Sequence, residues 1–231
     1  MRKFLLNLAC VCVATPAVTH AYSWQGQEQK ETPTILSRFT IEGVEPKTAD
    51  ADSPLPVGFP PATAPGKVEV KTYPAYRSAQ AKGEKMSASS SDYLFWSLFR
   101  HIERNEIAMT APVINTYPRE LVGNPKARGS VAMEFLYREP TQGKLGQDGS
   151  QIEVLDHPSE TVLCLGIQGA MSDARMADAM DVLEGWLKTH ASQWEVAGSP
   201  RRLGYHGPMT QVKRRLWEIQ IPIRAVTAAA K

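Results

Sequence analysis

The stretch Val68-Glu69-Val70-Lys71-Thr72-Tyr73-Pro74 returns as Ile152-Glu153-Val154-Leu155-Asp156-His157-Pro158, with apolar, acidic, apolar and proline positions in register 84 residues apart. A chain that repeats itself this way is expected to build two like halves around one shared core. Each copy continues as a β-rich run to a glycine near Gly83 and Gly169. A helix then opens on Ser91-Asp92 in one half and Ser172-Asp173 in the other, both N-cap residue types. In the first helix Leu94, Leu98 and His101 share one stripe with Phe95, Phe99 and Ile102 beside it. In the second, Met176, Met180, Leu183 and Leu187 recur at helical spacing, with Trp186 alongside.

Two strand-like runs follow each helix. After the first come Met109 to Thr116 and Val131 to Tyr137. After the second come Trp194 to Gly198 with Arg202 to Tyr205, then Val212 to Ile223. The alternation of Trp217, Ile219, Ile221 and Ile223 against Leu216, Glu218 and Gln220 gives the last run a period of two. The order β-α-β-β, taken twice, predicts an α+β domain over 67–225. Its halves are 67–140 and 150–224, its sheets are pooled, two helices pack on them, and a short tail follows at 226–231. A groove between a helix and the strands is where a small ligand would sit.

Ahead of this domain, Met1-Arg2-Lys3, the apolar run Phe4 to Val18 and Thr19-His20-Ala21 have the form of a secretory signal peptide, cut after Ala21. The apolar run is too short to span a bilayer, so the expectation is export to a periplasm or secretion, with no membrane span after cleavage. Removing 1–21 takes away Arg2 and Lys3 and no acid, which leaves 24 of the 26 Lys+Arg against 24 Asp+Glu. A charge near zero argues against a protein that lives on nucleic-acid phosphates or an anionic membrane surface. Cys10 and Cys12 leave with the signal. Cys164 then has no internal partner and reads as a buried, inert thiol in the apolar run Val162-Leu163-Cys164-Leu165.

Between Ala21 and the repeat, residues 22–66 form an N-terminal segment that ends in Pro46, Pro54, Pro56, Pro60, Pro61 and Pro65 with Gly58 and Gly66. No helix or central strand can run through that density of prolines, and the segment reads as an extended linker or insertion.

Two strings then carry a resemblance. Leu98-Phe99-Arg100-His101-Ile102, followed by Ile107-Ala108-Met109-Thr110-Ala111-Pro112-Val113, resembles the helix-to-strand signature of the SOUL heme-binding protein family. Gly204-Tyr205-His206-Gly207-Pro208-Met209, then Arg214-Arg215 and Leu216-Trp217-Glu218-Ile219, resembles its C-terminal signature. The similarity covers about Val68 to Arg224. It implies a distorted eight-stranded barrel or sheet of two repeated halves with two packed helices. It also implies reversible binding of heme or another tetrapyrrole in an apolar groove along the first helix, without catalysis. This chain departs from the family in its proline-rich insertion and in Leu216-Trp217, where relatives often have Asn before the Glu.

A flat macrocycle wants apolar walls, its propionates want cations, and iron accepts His, Met or Tyr. Leu94, Leu98 and Met109 are the candidate walls. Arg100 carries over from the family as a candidate propionate partner. Arg215 and Lys213 are further candidates, because they extend the apolar parity of the last strand backward. His101, on an apolar stripe, is the candidate axial ligand. His157, His190 and His206 read as surface residues.

Two alternatives remain open. One is a gyrase-inhibitor-like effector-binding domain or small-molecule hydrolase on the same fold, using buried acids and tyrosines. Strand parity turns Glu134 and Glu218 away from the apolar side, which speaks against a buried general base. The other is a peptide- or partner-binding module. The chain carries no GxSxG, HExxH or phosphate-cradling glycine loop, so a binding protein rather than an enzyme is expected.

Overall fold

The computed structural model of the protein describes residues 36–47, 53–87 and 92–226. The signal segment 1–21, Ser91 and the tail beyond Val226 lie outside them. The elements run β1 (Val68–Tyr73), β2 (Tyr76–Met86), α1 (Asp92–Arg104), β3 (Val113–Thr116), β4 (Gly129–Leu136), β5 (Gly146–Asp148) and β6 (Ile152–His157). They continue as β7 (Glu160–Gln168), α2 (Asp173–Thr189), β8 (Trp194–Val196), β9 (Arg201–Gly204) and β10 (Leu216–Ala225). Among the described residues the fold is α+β, an open antiparallel ten-stranded sheet with two helices. The sheet order is β1-β7-β10-β9-β3-β4-β2-β6-β5, and β8 pairs separately with β10.

This order is symmetric about the β9–β3 contact. β10 answers β4, β7 answers β2, and β1 answers β6. The β-rich run that opens each half is therefore two strands, not one. Pro74 and Pro158 stand at the breaks, where a ring without an N–H cannot continue a ladder. The strands on either side of each break do not pair with each other. β1 pairs with β7, while β2 pairs with β4 and β6. Each half thus lends its first strand to the sheet of the other.

The helices cover one face of this sheet. Ser172 caps α2, its side chain accepting from Arg175 N at 3.2 Å, and Met176, Ala179, Met180, Leu183 and Leu187 are its buried stripe. α1 buries Leu94, Leu98 and Ile102 in the same core. Strand boundaries differ from the sequence expectation by more than two residues at two strand starts. The run from Val212 begins as a 3-10 turn at Val212–Arg214, and β10 starts at Leu216. The run from Met109 becomes a strand only at Val113.

The opposite face is covered by the proline-rich segment, which is a packed strap over 53–66 and not a free spacer. Ala111 N donates to Pro54 O at 3.1 Å, Val57 N to Arg138 O at 2.9 Å, and Gly66 N to Gly166 O at 2.9 Å. Phe59 sets its ring edge-on to Tyr73 and Tyr76, centroids 4.9 and 5.3 Å apart. Beneath lie Tyr76, Ile114, Leu136, Leu203 and Tyr205 in a second apolar cluster. Gly166 must be glycine, because a Cβ there would stand 2.3 Å from the carbonyl oxygens of Thr63 and Ala64. Cys164 is free and buried, as expected.

The strap also corrects the reading of the two glutamates. They do face away from the helices, yet both are buried, Glu218 at 0% exposure and Glu134 at 5%. The repeat relates them, and it relates their partners Tyr73 and His157. Tyr73 OH reaches Glu218 Oε2 at 3.4 Å, and His157 Nε2 reaches Glu134 Oε2 at 3.0 Å. Lys71 Nζ at 2.7 Å and the Thr63 N–H complete Oε1 of Glu218, and Gln220 Nε2 at 2.7 Å completes Oε2. Burial pushes the Glu218 carboxyl up, but the Lys71 ammonium and these donors outweigh it and hold it below the ordinary range. For Glu134 burial likewise acts upward, while His157, Ser78 and Gln80 bring it down. A carboxyl with a lowered folded pKa stabilises the fold above its unfolded value and stops doing so as pH falls through the folded one. Urea midpoints should therefore hold between pH 7 and 5 and fall steeply below about pH 4.5, and Glu218→Gln should flatten that fall. An acid profile unchanged by Glu218→Gln would contradict this account.

Candidate functional site

α1 lies over β2, β4 and β6, and its 3.6-residue period sorts its side chains. Leu94 and Leu98 point inward at 2% and 0% exposure, so these two wall candidates are core residues. On one flank Ser97 Oγ meets Gln151 Oε1 at 3.2 Å and His101 meets Asp148. On the other flank Phe95 and Phe99 are half-buried, stacked at 6.1 Å, with Phe95 edge-on to Phe135 of β4 at 5.1 Å. That flank faces the middle of the sheet. Tyr93 and Trp96 stand outward at 57% and 59% exposure, with Arg100 exposed one turn beyond Trp96.

His101 is buried and both its ring nitrogens are engaged. An ionised Asp148 only accepts, so Nδ1 carries the proton and donates to it. In the neutral ring Nε2 then accepts from Tyr137 OH at 2.7 Å. Burial, with Asp148 adding to it, pushes the Tyr137 hydroxyl up to about 12, which keeps it a donor. Burial raises the Asp148 carboxyl, but Arg104 Nη2 at 2.5 Å, His101 and Asn105 Nδ2 at 3.2 Å outweigh it and hold it low. A cavity of about 350 Å³ adjoins this network, lined in part by Asn105, Ile107 and Lys144. Both ring nitrogens of His101 are thus engaged within the chain.

Met109 is half-buried and packs at the edge of the helix-side core together with Val113. Lys213 is exposed on the turn Val212–Arg214. Arg215 directs Nε to Thr210 O at 2.9 Å and Nη2 to Pro208 O at 2.8 Å, and so pins the 207–211 loop. The 3-10 turn breaks the strand parity on which the expectation for both bases rested. Among the described residues no cluster of His, Cys, Asp or Glu could hold a metal ion, and no helix is long and apolar enough to cross a membrane.

The sequence reading missed a group at the sheet's centre, on the helix side. Asn115 of β3 pairs in register with Arg202 of β9, and Arg202 pairs with Ile219 of β10. The Arg202 guanidinium stands 5.5 Å from the Tyr117 ring centre and 5.7 Å from that of Trp217. No local motif marks these residues, because only the β3–β9 register brings them together.

Comparison with known proteins agrees with this architecture. The sequence profile described as SOUL heme-binding protein matches residues 61–222, and the chain belongs to that family. A search of curated proteins gave no match. The EcmrR C-terminal domain superposes with a TM-score of 0.55 at 16% identity, covering 69% of this chain and 98% of that one. EcmrR in its DNA complex gives 0.56 at 16% identity, covering 69% of this chain and 58% of that one. A hydrolase from Listeria innocua gives 0.50 at 10% identity, covering 68% and 92%. At these identities the likeness is one of fold.

The His101 network yields a direct test. Tyr137→Phe removes the donor to Nε2 and leaves a buried acceptor unpaired, so it should cost about 1–3 kcal/mol of unfolding free energy. Urea denaturation at pH 7 measures this, and an unchanged midpoint would refute the network's role.

Proposed function

We propose that the protein binds heme or another tetrapyrrole reversibly and without catalysis, in the apolar groove on the helix side of the sheet. On this reading the groove is bordered by Phe95, Phe99, Met109 and Val113, all half-buried and packed against the helix-side core. The observation that carries this reading is that aromatic flank. Its rings are packed on one side, open on the other, and turned toward the sheet's centre, which is what a flat apolar ligand needs. Family membership supports the ligand class.

The residues fit a macrocycle better than they fit an axially ligated iron. Phe95, Phe99 and the exposed Trp96 offer walls, Leu94 and Leu98 back them from the core, and Arg100 offers a cation to a propionate. His101 is committed on both nitrogens, so on this reading it positions α1 and leaves the iron alone. The bound macrocycle would supply the Soret band, while the chain binds and orients the ring.

A catalytic reading on the other face has less support. Thr63 N–H, Lys71 Nζ, Tyr73 OH and Gln220 Nε2 all donate to Glu218, and its lowered pKa makes it a poor base. Hemin titration followed at the Soret band tests the proposal. Saturable one-to-one binding is expected, weakened about tenfold in Phe99→Ala and retained in His101→Gln. Absence of saturable binding would overturn it.

The proposal includes export, on the strength of the signal-like residues 1–21. Mass analysis of the protein from a periplasmic extract should find a chain that begins at Tyr22. An uncleaved chain confined to the cytoplasm would refute export.

A further inference from the structure

At the centre of the helix-side face, three neighbouring side chains bury polar atoms that have no hydrogen-bond partner: Asn115 Oδ1, Tyr117 OH and Arg202 Nε. Asn115 is 5% exposed and Tyr117 0%. Folded proteins rarely leave such groups unmatched, and each one costs stability unless something completes it. Three on adjacent residues indicate a shared missing partner. No acid forms an ion pair with Arg202 among the described residues.

The guanidinium is nevertheless held in place. Tyr117 and Trp217 flank it at 5.5 and 5.7 Å, and Trp217 is itself fixed by Nε1 donating to Gly169 O at 2.9 Å. Cation–π flanks orient a guanidinium without consuming its N–H donors. Burial pushes the Tyr117 hydroxyl up to about 12, so it remains an O–H donor. The Asn115 amide can turn to present either its oxygen or its NH₂. The matching chemistry is an anion with two oxygens that accepts from a planar fork, a phenol and an amide.

We propose that Arg202, Tyr117 and Asn115 form a carboxylate-binding subsite, with Trp217 as an aromatic wall, for a flat aromatic ligand that carries an acid side arm. The subsite deepens the tetrapyrrole reading and rests on it for one point only, that the acid is a propionate. After burial, the Arg202 charge acts on the Tyr117 hydroxyl downward and the Asp173 charge upward.

The test compares three probes. Hemin is titrated beside protoporphyrin dimethyl ester, and benzoate is titrated while the Arg202 Nε–H resonance is followed by NMR. Arg202→Met should weaken hemin about tenfold to a hundredfold, the worth of a charge-assisted pair, and leave the ester unchanged. Asn115→Asp places an internal carboxylate opposite the guanidinium. It should raise the melting temperature and abolish the benzoate shift, a combination that a merely disrupted fold would not give. Hemin affinity unchanged in Arg202→Met, with no saturable benzoate shift in the parent protein, overturns the subsite and leaves the tetrapyrrole reading standing. A saturable benzoate shift without hemin binding keeps the subsite and removes the tetrapyrrole.

Discussion

The exchange of first strands between the two halves is the constraint on which the rest of the structure depends. β1 hydrogen-bonds along β7, and β6 along β2, so neither half has a complete sheet without the other. Pro74 and Pro158 make this possible by ending one ladder and sending the chain to another two residues later. The exchange brings β3 and β9 together at the centre, and that contact aligns Asn115 with Arg202.

The two faces of this sheet bury different kinds of polar group. Under the strap the acids are saturated: Glu218 draws on Lys71, Thr63, Gln220 and Tyr73, and Glu134 on Ser78, Gln80 and His157. Buried charge is tolerable only when its lone pairs are met, and here the chain's own N-terminal segment helps to meet them. On the helix face the surroundings of Asn115, Tyr117 and Arg202 are incomplete. Buried acids met by their own chain serve stability, while unmatched donors beside half-buried aromatic rings are suited to a ligand.

His101 illustrates how a correct placement leaves a side chain's partners open. Its spacing from Leu98 put it on the buried stripe of α1, and it is buried there at 4% exposure. Its role depends on Tyr137 and Asp148, which are 36 and 47 residues away in sequence. Lys213 and Arg215 show the converse, since alternation along β10 holds only from Leu216 and a 3-10 turn resets the parity before it.

The sequence by itself determined the duplication, both helices with their buried stripes, the α+β class and the family, because periodicity and capping are local properties that adjacent residues carry. It also determined that Glu134 and Glu218 leave the helix side. Only the tertiary structure decided that the run opening each half crosses to the other half, since strand pairing is non-local and a proline break looks the same in a hairpin as in a crossing. It likewise decided that 53–66 packs as a strap, because Phe59 and Thr63 find Tyr73, Tyr76 and Glu218 only when the sheet exists. The unmatched trio at the centre was decided there as well, for an unsatisfied hydrogen bond belongs to the register that creates it and to no single residue.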